Sequence, residues 1–273
     1  NAIFEIVGSI LRFASVLGAY LLGINFLYAT AVFYLPLLVV GFCSLGTFLH
    51  RRKWSFPIIQ RSELYSELKH LFTTGIAFTL IQTGAMIISN TDTILVGFVA
   101  SAGEAGDFSL VQKLFTLMVA VHLTVMQPYW SAYTLKYESK DFHWLKRTVV
   151  RSAGFTLIFA IIGGVLLVCF GDQIIFIWTN KAIGNNDLYY MLFIWSTICI
   201  LINHFSLFLN GINRLKRQVT MIVGGAIVNV PLSICLGKLW GASGVIFASI
   251  IVLIPVLISN IFETYRCLDM KTI

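Results

Sequence analysis

Residues 73–97 read TTGIAFTLIQTGAMIISNTDTILVG, with a single charged position, Asp92. As a helix this stretch is ~37 Å long at ~1.5 Å per residue, more than the ~30 Å hydrocarbon core of a bilayer. A helix on the surface of a soluble protein would carry a charged face along its length; this one has a single charge. The pattern recurs on both sides. Membrane spans are predicted over about 3–24, 28–49, 73–97, 107–133, 152–170, 188–210, 219–236 and 242–262. The fold class expected is therefore all-α integral membrane, with eight transmembrane helices and no soluble domain. The composition agrees, at 58% hydrophobic and 11% charged, against about 25% charged in soluble domains.

The connections alternate in charge. Segments 50–72, 134–151, 211–218 and the tail beyond 262 carry fifteen of the nineteen Lys and Arg residues. The opposite connections carry only Lys181 and Lys238, while Arg12 and Lys113 lie inside spans. Cytoplasmic loops are the basic ones, so both ends of the chain are expected to be cytoplasmic. The net charge of +7 does not imply nucleic acid, because these cations sit in short connections facing anionic lipid head groups. Membrane lipids are the expected surroundings. Five cysteines are scattered without a CxxC, four of them inside apolar spans. Such cysteines behave as small hydrophobes, and neither a disulfide framework nor a metal site is expected. The chain is apolar almost from Asn1, with no basic leader, and reads as the C-terminal part of something longer.

Charges held at membrane depth are costly and mark candidate sites. Glu5 and Arg12 lie seven residues apart on one face of the first span, ~10 Å apart along the axis and too far to pair directly. Arg12 is expected to face an aqueous cavity or a carboxylate on another helix. Asp92 and Lys113 lie at similar depth on neighbouring antiparallel spans joined by the short Gly-containing segment Ser101–Gly106. Two readings fit them: a buried salt bridge, or a titrating carboxylate beside a substrate-binding cation. Gln82, Met86, Ser89, Thr93 and Gly97 form a polar or small stripe down the third span, flanked by Asn90 and Asp92. Lys113, Thr116, Ala120, Thr124 and Gln127 line the fourth; Ser196, Asn203, Ser206 and Asn210 line the sixth. Single stripes of this kind serve helix packing; several together, two of them charged, favour a central polar cavity. His122 and His204 read as hydrogen-bonded packing residues ahead of proton carriers. Prolines 36, 128, 231 and 255 sit within spans, where they permit kinks.

The run Asn90-Thr-Asp-Thr-Ile-Leu-Val-Gly97, followed by Gly106-Asp-Phe-Ser-Leu-Val-Gln-Lys-Leu114, resembles the seventh and eighth helices of bacterial O-antigen flippases. These form the polysaccharide-export branch of the multidrug/oligosaccharidyl-lipid/polysaccharide exporter superfamily. Gly171-Asp172, Ile177-Trp178-Thr179 and Gly241-Ala-Ser-Gly244 are further matches, and Glu5 with Arg12 is similar to the family's fifth helix. The resemblance spans the chain and implies helices five to twelve of a twelve-helix, two-bundle exporter. Residues 1–49 would then be the last two helices of the N-terminal bundle, 50–72 a cytoplasmic inter-bundle loop, and 73–273 the six-helix C-terminal bundle. It also implies movement of an undecaprenyl-diphosphate-linked oligosaccharide across the bacterial inner membrane. Arg12 and Lys113 would meet the diphosphate. Asp92 and Glu5 would be ion-coupling groups for H⁺ or Na⁺, and no other cofactor is implied. Gln82, Asn90, Asn203, Asn210 and Asn229 would face the glycan. Other polysaccharide-assembly proteins are implied partners.

Three rival readings stand beside it. A multidrug exporter of the same superfamily would favour carboxylates over cations in its cavity. A lipid II flippase is not separated from the first reading by these residues. A polymerase or ligase of the same pathway is an enzyme, and it would need a sizeable outer loop carrying catalytic groups. Here the longest outer segment is 171–187, with Asp172, Lys181 and Asp187 as its charges. The chain carries no HExxH, no GxSxG and no clustered carboxylate pair, and no enzymatic activity is expected.

Overall fold

The computed structural model describes residues 2–23, 25–52 and 61–269, with the side chains of 2–6, 26, 27, 29, 31, 37, 48, 51, 52, 61–63 and 70 outside that description. All regular structure among the described residues is helical. It divides into two compact units, Asn1–Tyr65 and Ser66–Ile273.

The first unit holds α1 (Ala2–Leu21) and α2 (Phe26–Arg52), which pack against one another. The approach is close where Val40 meets the Cα hydrogen side of Gly8. The second unit contains α3 (Arg61–Val99, which begins just before it), α4 (Ala102–Met126), α5 (Pro128–Glu138), α6 (Phe142–Thr179), α7 (Asn186–Gly211) and α8 (Lys216–Asp269). α8 is two antiparallel arms. Trp240 (φ −131°) and Gly241 (φ 60°, ψ −140°) break it, leaving a first arm over 216–239 and a second over 242–269. With α8 so divided, the eight predicted spans correspond to α1, α2, α3, α4, α6, α7 and the two arms. By length and hydropathy α3, α4, α6, α7 and α8 can each cross a membrane, while α1 and α2 carry the shorter apolar segments Val7–Leu21 and Val32–Thr47. The chain is a multi-pass membrane protein.

The predicted ends need correction, because turn signals inside long membrane helices misplace them. Ser101–Gly106 is not a loop: the Ser101 hydroxyl accepts from the Glu104 amide at 3.1 Å and caps α4, so both glycines lie within the helix. The fourth span ends early, since Pro128 has no amide hydrogen and opens α5 as a separate element. The basic segment 134–151 shrinks to a turn at 139–141, where Asp141 caps α6 through the Trp144 amide at 3.1 Å. Outside the membrane Asp141 is held below the usual carboxylate range, first by its hydrogen bond from Lys136. The segment 171–187, expected on the outer side, is mostly helix as well. α6 runs to Thr179, and Asp172 closes the remaining turn by accepting from the Ile183 and Gly184 amides at 2.9 and 3.3 Å.

Packing inverts the soluble pattern. The face of α6 turned inward is Ser152, Thr156, Ala160, Gly164 and Gly171, while Ile158, Ile162, Leu166 and Phe170 point outward. Lipid tails are as apolar as leucine, so association depends on close approach and on hydrogen bonds between helices. A Cβ at Gly164 or Gly171 would overlap the rings of Phe193 and Tyr189, and α6 and α7 lie that near one another.

Candidate functional site

A cavity of about 790 Å³ opens within the second unit, walled by α3, α4, α7 and both arms of α8. Ser89, Asn90 and Thr93 reach it from α3, Ser109, Gln112, Lys113 and Thr116 from α4, and Asn203 from α7. Their spacing explains the convergence. Ser109, Gln112, Lys113, Thr116 and Ala120 fall three or four residues apart, on one face of a helix with 3.6 residues per turn. Gln112 fastens that face to α3, donating to the Ser89 carbonyl at 3.0 Å and accepting from the Thr93 hydroxyl at 3.2 Å. The opposite wall carries Trp195, Cys199, Ile202 and Leu253. The Trp195 indole nitrogen is buried without a hydrogen-bond partner among the described residues. Among the described residues, Lys113 is the only charged one lining the cavity. The site therefore offers one cation, several amides and hydroxyls, and one aromatic wall, a set suited to an anion or a polar uncharged group.

The salt bridge considered between Asp92 and Lys113 does not form; neither belongs to an ion pair among the described residues. Successive helical residues point ~100° apart, so Thr93 faces the cavity while Asp92 turns with Ile88 and Val96 into the packed side of α3. Asp92 is wholly buried there. The Ser249 hydroxyl lies 3.0 Å from each of its carboxyl oxygens and accepts from Asn229 Nδ2 at 2.8 Å. Asp92, Ser249 and Asn229 thus tie α3 to both arms of α8. Asn229 is wholly buried in this contact and does not line the cavity, because its place on the first arm faces the second. Asn210 sits near the basic end, accepting from Gln218 at 3.2 Å. Gln82 is exposed on α3, one turn outside the cavity.

In the first unit the Arg12 guanidinium is satisfied locally. It donates to the Gly8 carbonyl at 3.3 Å and the Ser9 hydroxyl at 3.2 Å, and lies 5.9 Å from the centre of the Phe33 ring. The Glu5 side chain lies outside the described residues. Of the nine residues proposed from the sequence, the structure brings Asn90, Lys113 and Asn203 together. Sequence reading missed Ser109, Gln112 and Trp195 as wall residues and Ser249 as the partner of Asp92. Gln112 and Ser109 were within reach, since they share the helical face of Lys113.

His122 and His204 sit outside the cavity, bridged by one hydroxyl. Thr156 Oγ1 is 3.0 Å from His122 Nε2 and 3.3 Å from His204 Nδ1, and all three side chains are buried. One hydroxyl donates once, so the tautomers of the two rings are linked through it. Thr156→Val leaves both ring nitrogens without that partner and is expected to cost ~1–3 kcal/mol. Thermal unfolding against Thr124→Val, on the exposed side of α4, measures it; equal stability of the two variants would show that the bridge is not made.

No protein-family model and no curated protein matches the chain. Solved structures do. The chain is similar to an outward-facing multidrug resistance MATE family transporter of the MOP superfamily, with a TM-score of 0.80 at 13% identity over 99% of this chain and 62% of that one. A MATE protein solved in complex with MaL6 gives 0.79 at 14% over 99% and 63%. A MOP superfamily transporter from Pyrococcus furiosus, described as having a binding pocket of reverse polarity that suggests a different function, gives 0.73 at 13% over 99% and 63%. The chain spans 62–64% of the length of the transporters it matches. It has the fold of these transporters.

Proposed function

We propose that this chain is the larger part of a transporter that carries a lipid-linked, diphosphate-bearing oligosaccharide across the bacterial inner membrane, as the O-antigen flippases do. The observation that carries the reading is the cavity wall, with Lys113 alone among charges and amides and hydroxyls around it. A diphosphate calls for cations, a glycan for hydrogen-bonding side chains and aromatic faces, and a prenyl tail for access from the lipid. Lys113 is assigned to the diphosphate, with Arg12 as the first unit's cation for the same cargo. Asn90 and Asn203 are assigned to the glycan. Asp92, and Glu5 in the first unit, are assigned to ion coupling. A buried carboxyl is costly to charge without a cation or several donors, so a proton or Na⁺ bound at Asp92 would tie its charge to the packing of α3 on α8. Both ends of the chain are placed in the cytoplasm.

The second reading is a multidrug exporter, favoured by the fold of the MATE neighbours. Cargo charge separates the two. The test uses the complete reading frame in its native host: the gene is deleted and lipid-linked repeat units are located with a glycan-binding probe on intact and opened cells. Units trapped inside, released by the wild-type gene but not by Lys113→Ala, are expected. Units that reach the outer face in the deletion strain would overturn the flippase reading.

A further inference from the structure

Two adjoining concavities lie at the basic end of the second unit, away from the cavity above. The first, about 550 Å³, is walled by Arg214, Lys216, Arg217 and Arg266 around a single carboxylate, Glu263. Glu263 is largely buried and holds Arg217 at 2.9 Å and Arg266 at 3.7 Å. Arg217 is further fixed over the Phe262 ring at 5.1 Å. Arg214 and Lys216 have no carboxylate partner among the described residues, so the pocket keeps an excess of positive charge at the start of α8, where the helix dipole adds to it. The second concavity, about 720 Å³, shares Asn213, Leu215, Lys216 and Thr220 with the first and follows α3 from Ser66 to Leu80. Its deeper part is apolar, formed by Ile76, Ala77, Leu80 and Val219. Lys69 to Leu80 spans ~16 Å of helix, about half of the ~30 Å hydrocarbon thickness.

We infer that the two concavities form one site for an anionic phospholipid of the leaflet at the basic end. Its phosphate sits among Arg214, Lys216 and Arg266, and an acyl chain lies along α3 and the first arm of α8. Two features select this occupant. Free cations outnumber carboxylates at one end of the groove, and the apolar part stops at the depth of a single leaflet. An acyl chain ends there; a long prenyl tail would run on. The inference does not depend on the transport reading.

The test places the complete protein in phosphatidylcholine vesicles with a photoactivatable phosphatidylglycerol and maps cross-links by mass spectrometry. Labels are expected on 76–80 and 213–220. The triple variant Arg214→Gln, Lys216→Gln, Arg266→Gln should lose about tenfold or more of this labelling, as removal of juxtamembrane cations worth ~1 kcal/mol each requires. The triple Lys140→Gln, Arg147→Gln, Arg151→Gln, which removes as many charges from the same side, should keep it. Equal loss in both triples would reduce the effect to bulk surface charge and overturn the site, as would equal labelling by photoactivatable phosphatidylcholine. Displacement by millimolar inorganic phosphate would make it an anion pocket, and stronger competition by undecaprenyl phosphate a cargo port; either overturns the assignment. Ala77→Trp fills the groove and keeps every cation, so it should lower labelling even if the charge triple misfolds. Unchanged labelling in Ala77→Trp would also overturn it.

Discussion

Gly244→Ala is expected to destabilise the second unit by about 3 kcal/mol or more, toward the upper end of the range for overpacking. A Cβ at Gly244 would stand 2.1 Å from the Leu236 carbonyl oxygen and 2.6 Å from its carbon. Those are backbone atoms of the opposing arm, which cannot rotate aside as a side-chain end can. Gly237 faces the same seam, with Val245 and Val99 at 2.8 and 2.9 Å from its Cβ position, so the arms cannot slide to make room. They must part, and parting them pulls at Asn229–Ser249, 2.8 Å apart farther down the same pair. The turn compounds the effect: Gly241 has φ 60° and ψ −140°, a region that side-chain-bearing residues avoid at ~1–3 kcal/mol. Gly224→Ala is the control. Nothing lies within 4 Å of its Cβ position, so helix propensity alone acts and stability should stay equal or rise by ~0.5–1 kcal/mol. Thermal unfolding in detergent compares the two, and equal stability would mean that the arms are not packed backbone to backbone.

The seam also marks how far the sequence could be read. The Gly241-Ala-Ser-Gly244 pattern was visible as a motif, but its reason was not: one glycine turns the chain and the other lets a carbonyl approach, and only the pairing of the arms distinguishes them. Span number and type were legible because hydropathy over ~20 residues depends on composition, not on partners. Ends were not, because Gly103, Gly106, Lys136, Lys146, Arg147 and Arg151 are turn signals in water yet lie in helices here. At the site, helical spacing placed Lys113 on the stripe of the fourth span and Asn90 beside that of the third. It could not orient Asp92, which lies one residue from Thr93 and is committed to α8 by Ser249, 157 positions away in the chain. Nor could it separate Asn203, which lines the cavity, from Asn229, which holds the arms together. An asparagine in an apolar span reads alike in both roles until its neighbours are known.

Lys113→Gln is expected to slow transport of the lipid-linked diphosphate ~10- to 100-fold in the complete protein, with Lys113→Arg retaining most of the activity. The reason is the isolation of the charge. Among the described residues no carboxylate lines the cavity and no other cation does, so none of them compensates when the ammonium is removed. A hydrogen bond to a charged group contributes ~1.5–3 kcal/mol, and each ~1.4 kcal/mol is a factor of ten. The substitution keeps a hydrogen-bonding side chain at the position, and the cavity wall held by Gln112 to Ser89 and Thr93 should stand. Transport is measured in vesicles with the diphosphate cargo and, in parallel, with a lipophilic cation. The flippase reading requires the first to fall and the second to stay absent. If the multidrug reading holds, removing the positive charge from this cavity relieves repulsion, and export of the cation rises in the same variant. The two readings therefore give opposite signs for a single substitution, and the sign does not depend on how large either effect is.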